Sequence, residues 1–135
     1  MFDGLEICVS YTGMSSDIVQ KMASYLAGLC RIYVYENNLD RQAGLYIEDV
    51  ATPLYAQLPC IIFATADWYT SAATRIELEC MKENPSRKLL FDFCGNFTET
   101  EAAQDLNNVD LGTFDRCGNV SIDGIRDWVL SLART

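Results

Sequence analysis

The sequence predicts an α/β fold in which helices cover both faces of a central parallel sheet of about five strands. Three observations point there. Strand-like and helix-like stretches alternate along the chain, the segment PCIIFAT (59–65) is apolar on both faces, and 135 residues suffice for one compact domain with a real core.

The first strand is LEICVS (5–10), ending in the polar stretch YTGMSS. A helix follows from Asp17 to Leu29, with Ile18, Met22, Leu26 and Leu29 at helical spacing and Ser15 or Ser16 available as cap. RIYVYE (31–36) is β-branched and aromatic and reads as the second strand; a polar loop with Gly44 and a short helix from Leu45 to Ala56 come next. After the third strand at 59–65, Ser71 caps a helix that runs to about Asn84 and breaks before Pro85. RKLLFDF (87–93) is the fourth strand, and TETEAAQDL has helical character. A short edge strand is expected somewhere between Leu111 and Val120. The final helix carries Ile122, Ile125, Val129 and Leu132 on one face behind Ser121. Ligands of such sheets bind beyond the carboxyl ends of the strands, so the loops at 11–16, 37–46, 66–71 and 94–98 are the ones to watch.

Composition excludes several functions. A net charge of −9 argues against nucleic acid and anionic membranes as partners. An anionic small ligand would need local donors such as Arg41, Arg75 or backbone N–H groups. The longest apolar run, Leu58 to Ala66, is too short to span a bilayer, and MFDGLEICVS lacks the pattern of a signal peptide, so a cytoplasmic protein is expected. Six cysteines (8, 30, 60, 80, 94 and 117) lie mostly in apolar runs without any CxxC, and read as reduced, small core residues. With no histidine in the chain, neither a zinc site nor a Ser-His-Asp triad on Ser10 is expected. No glycine-rich phosphate loop occurs. Asp92, at the end of the fourth strand, is a candidate phospho-acceptor in the manner of response regulators, but those need an acidic cluster after the first strand, where this chain has CVSYTG.

One carboxylate stands apart. Glu79 shares a solvated helix face with Arg75 and Glu83, where a weak ion pair to Arg75 is expected. Glu77 has only Ala73, Thr74, Cys80 and Met81 as helical neighbours. A carboxylate in such company is costly to bury without a partner or a task. Its helix leaves the carboxyl end of the third strand, near the expected ligand edge. Trp68 and Tyr69, at the same exit, can stack on a base or a nicotinamide ring, or serve as partly buried loop aromatics.

The order of these landmarks resembles the Toll/interleukin-1 receptor (TIR) family. CVSYTG (8–13), with Asp17 after it, is similar to the first family box. LDRQAG (39–44) is similar to the second, with Asp40 and Gly44 matching and Leu39 and Ala43 in place of the usual arginine and proline. In TADWYTSAATRIEL (65–78), Thr65, Trp68, Ser71, Glu77 and Leu78 fall on the family's offsets, while Ala73 and Thr74 replace its Trp-Cys pair. Trp128 resembles the third box. The resemblance spans Leu5 to Leu132 and implies a single flavodoxin-like, three-layer TIR domain, either a whole protein or the TIR portion of a longer one.

In active TIR domains the glutamate at the position of Glu77 is required for NAD⁺ cleavage. The resemblance therefore implies an NAD⁺ glycohydrolase, with Glu77 as catalytic residue and Ser10, Tyr11, Asp40, Arg41, Gly44, Trp68 and Ser71 binding the substrate. NAD⁺ is the substrate, and no separate cofactor or metal is implied. It also implies TIR–TIR self-association through the loop at 37–46, and a role in immune or anti-phage defence. Two rivals remain open: a non-catalytic TIR scaffold that recruits other TIR domains, and an enzyme similar to nucleoside deoxyribosyltransferases, which share the general fold and a glutamate.

Overall fold

A computed structural model describes residues 4–34 and 52–133. Its centre is a five-stranded, all-parallel sheet in the order β2-β1-β3-β4-β5. The strands are β1 (Glu6–Ser10), β2 (Arg31–Tyr33), β3 (Cys60–Ala64), β4 (Lys88–Asp92) and β5 (Val109–Leu111). Among the described residues the helices are α1 (Ser16–Leu26), α2 (Thr52–Tyr55), α3 (Ala72–Met81), α4 (Glu101–Asp105) and α5 (Ile122–Ala133). This is the flavodoxin-like strand order, in which the topology reverses between β1 and β3.

The period-two alternation of strand side chains divides the core into two layers. Ile7, Val9, Ile61, Phe63, Leu89 and Phe91 face one way and meet Val19, Met22 and Leu26 of α1 and Ile125, Trp128 and Val129 of α5. Cys8, Cys60, Ile62, Ala64 and Leu90 face the other way, toward Tyr55, Trp68, Met81, Phe97 and Ala102. Every residue of β3 is buried, as its uniformly apolar sequence requires of a strand covered on both sides.

Several local expectations are corrected. A 3-10 turn at Gly13–Ser15 precedes α1, and Ser15 makes no capping bond with its side chain. The helix also stops at Leu26, so Val19, Met22 and Leu26 form its buried stripe and Leu29 lies in the turn beyond. The edge strand is Val109–Leu111 rather than a segment after Leu111. The segment expected to hold it closes instead on a single antiparallel bridge from Phe114 to Val120. Inside that turn Asp115 accepts from the N–H groups of Cys117 and Asn119, and Gly118 takes a positive φ of 80°. Cys94 and Cys117 are exposed thiols rather than core residues. Burial, and then the adjacent Cys8 thiol, push the Cys60 thiol well above its ordinary range, which keeps it inert. Trp128, the landmark of the final helix, is a packing residue: its indole N–H donates to Asp110 at 3.0 Å and the Arg87 guanidinium lies over its ring.

At the amino ends of the strands Lys88 is fully buried. Its ammonium donates to the carbonyls of Asn84 (2.6 Å), Ser86 (2.9 Å) and Asn107 (3.1 Å), tying two loops beneath the sheet. No helix among the described residues is long and apolar enough to cross a membrane.

Gly112 closes β5 against the core. A Cβ there would meet the Phe91 ring at 2.3 Å, and that ring is held between Phe63 and Phe114. Gly112→Ala is therefore expected to cost about 1–3 kcal/mol in urea unfolding, as overpacking of a filled core does. Gly28→Ala, where nothing lies within 4 Å of the added carbon, is expected to change stability by less than about 1 kcal/mol. Equal stability of the two variants would contradict this packing.

Candidate functional site

At a strand-order reversal, the loops leaving neighbouring strands diverge to opposite faces of the sheet and open a crevice. Here β1 continues into α1 on one face and β3 into α3 on the other. The residues at these two exits are Ser10, Tyr11 and Thr12 from β1, and Thr65, Asp67 and Trp68 from β3.

Glu77 is joined to these exits through Ser10. It sits on the second turn of α3 and is 2 % exposed. The helix is aimed by its first turn: Ser71 caps it, its Oγ accepting from the N–H of Thr74 at 3.4 Å. The Thr74 hydroxyl donates to the carbonyl oxygens of Trp68 and Ser71, fixing the loop to the helix.

Three side chains then join in a directed series. The Trp68 indole N–H donates to Ser10 Oγ at 2.8 Å, and the Ser10 hydroxyl donates to Glu77 Oε1 at 2.6 Å. An indole only donates, so it occupies a lone pair of the serine and leaves the hydroxyl proton to the carboxylate. Ser10 is fully buried and Trp68 is 3 % exposed. Removing a carboxylate from water costs several kcal/mol on the order of magnitude seen in real proteins. One hydrogen bond to a charged group returns about 1.5–3 kcal/mol. The Ser10 bond therefore offsets only part of the cost of placing Glu77 here.

A second carboxylate bridges the two exits. Asp67 Oδ1 accepts from Thr12 Oγ1 at 2.7 Å and from the Thr65 hydroxyl, and the two threonine oxygens are 3.3 Å apart. The Thr65 hydroxyl first, and Thr12 after it, hold the Asp67 carboxyl below its ordinary range against the opposing effect of burial. Sequence reasoning missed Asp67 and Thr12. The signal available was a Thr-x-Asp spacing directly after the third strand, which suits a local side-chain turn.

The other sequence-predicted residues divide as follows. Tyr11 is buried at the exit of β1, and the Ser71 side chain is spent on capping α3. Asp40, Arg41 and Gly44, with the loop at 37–46, lie outside the described residues. Asp92 is occupied structurally, one oxygen accepting from the N–H of Gly95 and the other from that of Phe97, both at 2.9 Å. Glu79 pairs with Lys82 at 2.9 Å rather than with Arg75, in keeping with the preference for the acid on the amino-terminal side of a helical pair.

A cleft of about 430 Å³ opens between α3 and α4, with Trp68, Tyr69, Thr74, Arg75, Lys82 and Thr100 among its walls. Among the described residues Arg75 has no ion-pair partner, while Lys82 is engaged by Glu79 and Asp105. Neither this cleft nor a smaller one beside Gly112 has Glu77 in its wall. Among the described residues, no group of three or more Cys, Asp or Glu side chains is arranged to hold a metal.

Because the folded-state pKa of Asp67 is depressed, its contribution to stability is present above the unfolded carboxylate pKa and is lost as pH falls through the folded one. The stability difference between the parent chain and Asp67→Asn, measured by urea unfolding, is therefore expected to be larger at neutral pH than at about pH 3, below the usual aspartate pKa. An equal difference at both would show that the carboxylate charge plays no part in the contact.

The sequence matches no protein-family model and no curated protein.

Proposed function

We propose that this chain is a TIR-type NAD⁺ glycohydrolase, with Glu77 as the catalytic carboxylate. The observation that carries the reading is the position of Glu77: buried, at a strand-order reversal, and held by a serine that an indole orients. The same glutamate stands at the position that the family resemblance marks as catalytic.

In this reading the bond from ribose C1′ to the nicotinamide nitrogen breaks heterolytically. Its electron pair leaves with nicotinamide, which becomes neutral, so no general acid is required. Positive charge develops on the ribose C1′ and ring oxygen, and the Glu77 carboxylate stabilises it while accepting from ribose hydroxyls. Water then bonds to C1′ and loses a proton, giving ADP-ribose; attack by an adenine nitrogen gives the cyclic product instead. Ser10 and Trp68 keep one carboxylate oxygen fixed during these steps. Arg75, which lines the cleft and has no ion-pair partner among the described residues, is the cation we assign to the pyrophosphate. Self-association through the loop at 37–46, a cytoplasmic setting and a part in immune defence belong to the same reading by resemblance.

One observation favours a second reading. Glu77 and Trp68 are almost fully covered, which also suits a TIR scaffold whose glutamate only braces α3 against β1. Nicotinamide release from NAD⁺ at high protein concentration separates the two. Glu77→Gln is expected to reduce release at least ~100-fold, the scale of losing one electrostatic contact in an active site. Glu79→Gln, on the exposed face, is expected to leave release within a few-fold and melting temperature unchanged. A parent chain that folds and releases no nicotinamide, or equal losses in the two variants, would favour the scaffold.

A further inference from the structure

The β1 and β3 exits are directed to opposite faces of the sheet, yet one carboxylate ties them together. Asp67 reaches across to Thr12 after β1 while also holding Thr65 after β3. It belongs to the 3-10 turn Ala66–Tyr69, and the next residue in that turn is Trp68, whose indole orients Ser10 and through it Glu77. The backbone N–H groups of Asp67 and Trp68 lie beside the same carboxylate. The turn is anchored at its other end by the Thr74 hydroxyl on the Trp68 carbonyl. Trp68 is therefore held from both sides, and beside its own bond to Ser10 the Asp67 clasp on Thr12 is a second side-chain link from this turn to the exit of β1.

We infer that Asp67 is a positioning residue: its clasp on Thr12 and Thr65 holds the β1 and β3 exits together and sets the placement of the Trp68 indole that directs Ser10 at Glu77. The inference rests on the proposed reaction for its effect on turnover, but its structural half stands without it. Asp67 itself touches none of the reacting atoms in this account. Losing the clasp leaves the core layers intact and lets the turn at 66–69 shift, so that Ser10 no longer meets Glu77 in one fixed geometry. A displacement of that kind lowers the chemical step more than it lowers binding.

The test compares Asp67→Ala, Asp67→Asn and Thr12→Val. In ¹⁵N-labelled protein the two tryptophans give two indole N–H resonances, and the one lost in Trp128→Phe is that of Trp128. Asp67→Ala is expected to shift the Trp68 indole resonance and speed its exchange with solvent, and to reduce kcat for nicotinamide release by about 10- to 100-fold with KM little changed. Asp67→Asn keeps an acceptor oxygen for both threonines, so it is expected to restore the resonance and most of the turnover. Thr12→Val cuts only the arm to β1; it is expected to move both readouts in the same direction as Asp67→Ala, and it decides the matter should Asp67→Ala fail to fold. An unmoved Trp68 resonance in Asp67→Ala, or in Thr12→Val if the first does not fold, would overturn the inference. A turnover loss of the same size in Asp67→Asn, following melting temperature alone, would overturn it as well. A parent chain without nicotinamide release would reject the proposed reaction and leave the indole resonance to decide the clasp.

Discussion

The constraint on which the rest of the site depends is the desolvation of Glu77. A carboxylate that is 2 % exposed on a helix facing a sheet is a local cost, which the fold tolerates because other contacts are built around it. The short bond from Ser10, the indole behind that serine and the threonine locking the indole's backbone form one connected arrangement. Polar groups of this kind are costly when half satisfied and rigid when fully satisfied. The indole's inability to accept gives the arrangement a direction, from Trp68 to Ser10 to Glu77.

The topology explains why this arrangement is found where it is. Strand order 2-1-3-4-5 makes β1 and β3 neighbours whose following helices lie on opposite faces. Ser10 ends β1, and its register partner in β3 is Ile62, three residues before Thr65 and six before Trp68. The chain beyond β3 can therefore fold its 3-10 turn back over the end of β1. The opposite edge of the sheet is closed differently, by the buried Lys88 ammonium on three backbone carbonyls. The amino ends of the strands thus have a buried cation committed to the backbone, and the carboxyl ends have two carboxylates held by side-chain hydroxyls.

Much of this was legible in the sequence where local pattern decides the structure. The apolar run of β3 announced a strand covered on both sides, the Ser71 cap announced α3, and the small and apolar neighbours of Glu77 set it apart from Glu79. What stayed hidden was set by contacts distant in sequence. Ser10 and Glu77 are 67 residues apart, and nothing near either names the other. Asp67 carries no local sign of its bridging role, because its Thr12 partner lies 55 residues away. β5 escapes the sequence pattern because Val109-Asp110-Leu111 is only three residues long and largely exposed, held by pairing to β4 rather than by an apolar face of its own. The exposed thiols of Cys94 and Cys117 sit in turns whose shape comes from Asp92, Asp115 and two positive-φ glycines, not from any apolar run.

The central claim is that Ser10 serves the reaction only through Glu77. The most direct measurement is nicotinamide release by Ser10→Ala, Glu77→Gln and the double variant, read as a double-mutant cycle. If the serine acts by holding the carboxylate, the double variant should be no slower than Glu77→Gln alone, because nothing remains for Ser10 to orient. Losses that multiply in the double variant would mean that the two residues act independently, and that the hydrogen bond joining them is structural.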